Sequence, residues 1–186
     1  MSDLILRDCR LSFPHLHTPQ VNTNDDGTST IRYNGLFIIP DGAQVEEVRK
    51  AIKAAALAKW GAQAESKLKA VMASNKTFLH PCEEKEYDGF DDGLFYISAS
   101  SRSKPIIMDR AKNDLSESSG LPYAGCYVNV KIRPWVQDNK FGKRINAEVR
   151  VVQFVKDGDA FAGGAPASRD EADDMDSLET SNDDII

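Results

Sequence analysis

One region of this chain has the period of a helix, and it stands between segments that alternate with the period of a strand. Val45, Val48, Ile52 and Ala55/Ala56 recur at helical spacing, with Glu46, Glu47, Arg49, Lys50 and Lys53 filling the opposite side. Asp41-Gly42-Ala43-Gln44 before them has the form of a capping box, and Gly61 follows Trp60 as a stop. The spacing predicts a helix to about Trp60 and a second, shorter one between Ala64 and Ser74, a stretch of good helix formers without a breaker.

Everything else with a pattern reads as strand. Leu4 to Phe13 alternates and ends at Pro14; residues 14–30 are turn-rich, with Asn24-Asp25-Asp26-Gly27 the strongest signal; a second strand runs from about Ile31 to Ile39. Residues 77–93 form a loop with an acidic cluster. After it come Leu94–Ser101 with Lys104–Met108, then Cys126–Trp135, then Arg144–Lys156, the last two joined by a hairpin loop at Gln137–Gly142. Two strands, a helical insertion and three strands fit a small, highly curved barrel or a sandwich. A parallel α/β sheet, which needs strands and helices in alternation, does not fit.

The chain has 186 residues and a net charge of −6, which taken alone argues against a nucleic-acid partner. The charge is divided, however. Residues 165–186 hold eight acids against Arg169 alone, a net of −7, and leave the other 164 residues at +1. Within that body, residues 94–156 carry eleven basic and five acidic groups, a net of +6. Gly163-Gly164-Ala165-Pro166-Ala167 has the composition of a linker. The expectation is a domain over 1–162 and, over 163–186, a flexible linker and a disordered acidic tail.

No apolar run is long enough for a membrane helix, and Met1-Ser2-Asp3-Leu4 lacks the plan of a signal peptide, so the cytoplasm is expected and no membrane partner. Cys9, Cys82 and Cys126 are an odd number without close spacing, which favours buried thiols over a disulfide framework.

Catalytic signatures are weak. Neither a phosphate-binding GxxxxGK[ST] loop nor a GxGxxG follows any strand. His15 with His17, and His80 beside Cys82, lie next to prolines without paired ligand spacing, and so read as surface or packing residues. No cofactor and no metal site is expected. A metal-dependent nuclease using the carboxylates of 83–92 is one rival reading.

The basic half points elsewhere. In Cys126–Trp135 one face carries Cys126, Val128, Val130 and Ile132, while the other carries Tyr127, Asn129, Lys131, Arg133 and Trp135. Aromatic rings stack on bases and cations follow phosphates, so a face that interleaves the two suits single-stranded nucleic acid. Arg144 and its alternate neighbours repeat the pattern on the next strand, and Lys140 and Lys143 lie in the loop between. Phe95 or Tyr96, with Arg102 and Lys104, extend it from the preceding strand, and Arg32 and Tyr33 from the second. Phosphates would meet Arg32, Arg102, Lys104, Lys131, Arg133, Lys140, Lys143 and Arg144; bases would stack on some of Tyr33, Tyr96, Tyr127 and Trp135. The rival from another class is a protein–protein adaptor barrel with a merely solubilising tail.

The tail ends Asn182-Asp183-Asp184-Ile185-Ile186. Acids followed by an apolar pair suit a short linear motif, in which Asp183, Asp184, Ile185 and Ile186 would be captured by cations and a pocket of a partner.

The chain resembles the phage single-stranded DNA-binding proteins typified by that of phage Enc34, and more distantly the T7-type phage protein. The matching stretches are Arg10-Leu11-Ser12-Phe13, then Tyr33-Asn34-Gly35-Leu36-Phe37-Ile38-Ile39-Pro40, then Tyr123-Ala124-Gly125-Cys126-Tyr127-Val128-Asn129-Val130, and the closing strand to Phe161-Ala162-Gly163-Gly164. The resemblance implies a mainly β, five-stranded OB-fold barrel with an inserted helix or two. It implies largely sequence-independent binding of single-stranded DNA in replication, recombination or repair, without catalysis. It also implies that the tail recruits replication proteins such as a DNA polymerase and covers the protein's own groove; a homodimer is a further option. Better-known tails of this kind end in an aromatic residue, where this one ends in Ile185-Ile186.

Overall fold

The computed structural model describes residues 2–161 and Met175. It contains seven strands: β1 (Leu4–Thr23), β2 (Ser29–Ile39), β3 (Leu79–Pro81), β4 (Phe95–Ser101), β5 (Ile106–Met108), β6 (Tyr127–Asn139) and β7 (Gly142–Lys156). Two helices, α1 (Gly42–Trp60) and α2 (Ala64–Ala73), stand between β2 and β3. Antiparallel pairing runs β4–β2–β1–β6–β7, and a parallel bridge at Ser100↔Glu148 joins β4 to β7. That bridge closes β1, β2, β4, β6 and β7 into a five-stranded barrel, with the parallel contact between the third and fifth strands. The fold is the expected mainly β OB-type barrel with a helical insertion, here after its second strand.

Alternation along the strands fills the barrel. Leu6, Leu11, Phe37, Ile97, Val128, Val130, Ile132, Ile145, Val149 and Val152 are all buried in one cluster. Truncating such a residue, Ile132→Ala for example, costs about 2–5 kcal/mol through lost transfer energy and an unfilled cavity. The helical insertion adds Val45, Val48, Ile52, Ala56 and Trp60 to the same core. Its start is fixed by Asp41, whose carboxylate accepts the Gln44 N–H at 2.9 Å, while the Gln44 side chain bonds both ways with the backbone of Arg7 on β1. Gly61 ends α1 with φ +52°, and the Trp60 indole donates to Asp138 Oδ2 at 2.8 Å, tying the helix to the end of β6.

Three segments depart from the sequence reading. β1 does not stop at Pro14 but continues to Thr23, so 14–23 is strand. Its register shifts between Ser12 and His15 and again between His15 and Gln20, and Pro14 and Pro19 fall in those irregularities, where a missing N–H breaks no ladder bond. The β6–β7 hairpin is longer than expected, since Asn139 pairs with Gly142 and leaves only Lys140 and Phe141 at the turn. The loop at 77–93 holds the short strand β3, paired to β4.

The three thiols, Cys9, Cys82 and Cys126, are buried, and burial pushes them up to about 12, 11 and 12. No helix among the described residues is long and apolar enough to cross a membrane. Apart from Met175, the linker and acidic tail, with Asp183, Asp184, Ile185 and Ile186, lie outside the described residues.

Candidate nucleic-acid interface

The barrel's closing seam is also the floor of a groove. Ser100 and Glu148, the bridging pair, both line a recess of about 670 Å³ whose walls are Arg32, Arg102, Ser103, Trp135, Gln137, Asn139, Phe141 and Asn146. Two further recesses adjoin it. One of about 560 Å³ shares Arg32 and Ser100 with it and extends to Phe13, His15, Gln20, Asn34, Lys85 and Tyr87. The other, of about 380 Å³, shares Ser101 and Ser103 and extends to Lys104, Lys131, Arg133 and Arg150. Together they make one continuous channel across β2, β4, β7 and β6.

Strand geometry explains why these side chains meet. On β6, Arg133, Trp135 and Gln137 share a parity, opposite to Ile132 and the core; their partners across the ladder are Glu148, Asn146 and Arg144. On β4, Ser98 and Ser100 share the outer face, and on β2 Arg32, Asn34 and Leu36 do the same. The serines have no bulk, which leaves the channel open between the β1–β2 hairpin on one side and the β6–β7 hairpin on the other. Those two hairpins occupy the positions that OB-folds use for oligonucleotide binding.

The rings in the channel are exposed. Trp135 is 40% accessible and Phe141, at the hairpin tip, 78%. Phe13 and Tyr87 are 47% and 46% accessible and meet edge-to-face with centroids 4.7 Å apart. Phe13 sits at the β1 bulge with φ +48°, a left-handed conformation that a bulky residue adopts only under constraint, and the bulge aims its ring out of the barrel.

The cations are held unequally. Among the described residues, Arg102 and Lys104 have no ion-pair partner, and Arg32 donates only to the Ile31 carbonyl. Arg150 is 2.8 Å from Glu148. Arg133 and Lys131 are both engaged by Asp3, whose carboxyl the Arg133 hydrogen bonds hold below its ordinary value against the opposing effect of burial.

Of the residues expected from the sequence, the structure gathers Arg32, Arg102, Lys104, Lys131, Arg133 and Trp135 along the channel. Lys140, Lys143 and Arg144 lie around the β6–β7 tip outside the lining, Lys140 over the Phe141 ring at 5.1 Å and Lys143 at 3.8 Å from Asp138. The other three aromatic residues sit differently from Trp135. Tyr96 has the right parity but is 3% accessible, because the 77–93 loop lays His80 and Phe90 against its ring. Tyr33 has the parity of Gly35 and Phe37, opposite to Arg32. Tyr127 shares the parity of Trp135 but lies eight residues away along β6, packed beneath Arg10 and Lys156.

Phe13, Tyr87 and Phe141 also line the channel and were not among the residues expected from the sequence. Phe141 was findable, as a large apolar residue between Lys140 and Lys143 in a hairpin; Phe13 and Tyr87 meet only through the fold.

His17 Nε2 is 2.8 Å from the Leu121 carbonyl and His80 Nδ1 3.0 Å from Asn75 Oδ1. Burial holds the His80 imidazole below its usual value. In the acidic loop, Glu83 accepts the Gly93 N–H at 2.7 Å. No group of three or more metal-ligating side chains occurs among the described residues.

The chain is similar to known proteins along nearly its whole length. It is 38% identical over 174 residues to protein p50 of Acyrthosiphon pisum secondary endosymbiont phage 1, covering 91% of this chain and 92% of that one. Among solved structures, the single-stranded DNA-binding protein from bacteriophage Enc34 in complex with ssDNA superposes with a TM-score of 0.67 at 26% identity, covering 86% of this chain and 89% of that chain. The single-stranded DNA-binding protein encoded by bacteriophage T7 matches with a TM-score of 0.50 at 12% identity, covering 97% and 98%, a likeness of fold alone. The family model described as Enterobacter phage Enc34, ssDNA-binding protein, matches residues 2–186, and the chain belongs to that family.

Proposed function

We propose that this protein is a non-enzymatic, largely sequence-independent single-stranded DNA-binding protein of phage replication, recombination and repair, and that the strand lies in the β2–β4–β7–β6 channel. The observation that carries this reading is the channel itself. Trp135 and Phe141 stand exposed beside Arg32 and Arg102, with Lys104 in the adjoining recess, and none of the three cations has an ion-pair partner among the described residues. Rings of this kind accept any base, while the cations follow the phosphates, so the site distinguishes single from paired strands by access to base faces more than it distinguishes sequences. Fluorescence titration with oligo-dT at low and high salt tests it. Binding that weakens steeply with salt is expected, and absence of binding at low salt would refute it.

The acidic tail is proposed to compete for the channel and to recruit replication proteins such as a DNA polymerase. Its charge of −7 is opposite to the channel's, which supports the first role, and the terminal Ile185-Ile186 pair supports the second. Deleting 165–186 takes the net charge from −6 to +1 and is expected to tighten oligonucleotide binding; weaker binding would contradict the competition. Pull-down with and without Ile185 and Ile186 tests the recruitment, and equal recovery of partners would count against it.

A further inference from the structure

The end of the channel formed by Lys104, Lys131, Arg133 and Arg150 contains an anion of the protein's own. Asp3 Oδ1 accepts from Arg133 Nε at 2.7 Å, Oδ2 accepts from Arg133 Nη2 at 3.2 Å, and Lys131 Nζ is 3.6 Å from the same Oδ2. This two-oxygen clasp on a guanidinium, with an ammonium beside it, is the arrangement in which arginine and lysine also hold two oxygens of a phosphate. Asp3 therefore uses the donors that a strand passing from Trp135 toward Lys104 would need.

Its attachment is light. The β1–β6 ladder begins at Leu4↔Ile132, so no ladder hydrogen bond fixes Asp3, and the three side chains are partly exposed. Ser101 and Ser103 line the same recess, adding hydroxyls to a seat already rich in donors.

Building on the single-stranded DNA reading, we infer that Asp3 occupies the seat of a DNA phosphate in the free protein and that the bound strand displaces it. The carboxylate keeps Arg133 and Lys131 oriented toward the channel while lowering the affinity of that end for stray anions. A polyanionic strand, anchored at the same time by Trp135 and Arg102, displaces it where a single small anion does not. Lys131 and Arg133 then change partner rather than acquire one, and the charge of residue 3 sets the affinity of this end of the groove.

The test compares wild type, Asp3→Asn and Asp3→Glu in oligo-dT titrations across a salt series, with thermal melting to confirm that all three fold alike. Removing one exposed carboxylate from two cations is expected to tighten binding about two- to fivefold at low salt. Because the strand displaces Asp3 in the wild type too, both complexes neutralise the same phosphates and the slope of log affinity against log salt should be nearly unchanged, while Asp3→Glu should bind as the wild type does. In a Lys131→Gln/Arg133→Gln background the Asp3→Asn change should have no effect. Weaker binding by Asp3→Asn would overturn the inference, showing that Asp3 positions Arg133 for DNA rather than competing with it. Unchanged affinity would overturn it as well, by placing the strand elsewhere. A wild-type protein that fails to bind oligo-dT would instead remove the functional reading on which the inference rests.

Discussion

Two clusters in this molecule have the same composition and opposite uses. At one end of β6, Arg10 lies 4.3 Å over the ring of Phe161 and 5.8 Å over that of Tyr127, and Lys156 is 4.7 Å from the Tyr127 ring. Arg10 spends its donors inside the protein, on the Gly125 carbonyl at 3.0 Å and the Asp159 carbonyl at 2.6 Å. Near the other end of β6, Trp135 and Phe141 stand beside Arg32 and Arg102 with their rings exposed and, among the described residues, with no carboxylate paired to either guanidinium. Rings and cations are present in both places. What separates the latch from the channel is how far the donors and rings are already used.

The latch also holds the last described segment in place. Tyr123 donates to Asp157, the Phe161 N–H donates to the Ala124 carbonyl, and a side chain at Gly89 would run into the Phe161 ring. Gly125, at φ +104°, lies so close to the Asp159 carbonyl that no Cβ fits there either. The segment 157–161 is therefore held against the barrel by contacts that tolerate little change.

Substitutions that exchange the roles of the two clusters would break this contrast. The largest effect is expected from Arg10→Ala, which removes two charge-assisted hydrogen bonds and two ring contacts and should cost about 2–3 kcal/mol of stability. Thermal melting reads that loss, and oligonucleotide affinity measured below the transition should be unchanged. A loss of affinity with unaltered melting would turn the latch into a binding site. Trp135→Ala should do the reverse, weakening oligo-dT binding by about 1–3 kcal/mol with little change in melting temperature. Phe141→Ala, at the end of a hairpin where the ring packs on Lys140, should cost affinity at the lower end of that range. The smallest effect belongs to Arg102→Gln. Its signature is a salt slope shallower by about 0.7 rather than a large change in affinity at one salt concentration.

Much of the fold was legible because local chemistry and global packing agree. Asp41 and Gly61 bracket α1 as capping chemistry requires, and alternation assigns core and surface along β6 and along β7 as far as Val149; a register shift at Arg150 then buries Val152 in place of Val151. Reading failed where an effect was non-local. Pro14 and Pro19 look like strand breakers until the bulges that accommodate them are seen. Tyr96 has the parity of a channel residue, and only the 77–93 loop packing across it takes it out of reach. Phe13 and Tyr87 are far apart in the chain, and neither belongs to an aromatic–cation alternation. For Tyr127 and Trp135, strand parity is identical and the distance along the strand decides. Period-2 reasoning assigns a face, but it does not say which part of the face is already covered.

The central claim is that single-stranded DNA lies against Trp135. The chain has two tryptophans, Trp60 and Trp135, and the first, at the end of α1, is buried and bonded to Asp138. In a Trp60→Phe protein the indole emission therefore comes from Trp135 alone. Titrating that protein with oligo-dT at low salt is expected to quench the emission with saturation, and added salt should restore it. Oligonucleotide binding detected by anisotropy of a labelled strand, with no change in Trp135 emission, would place the DNA elsewhere and contradict the claim.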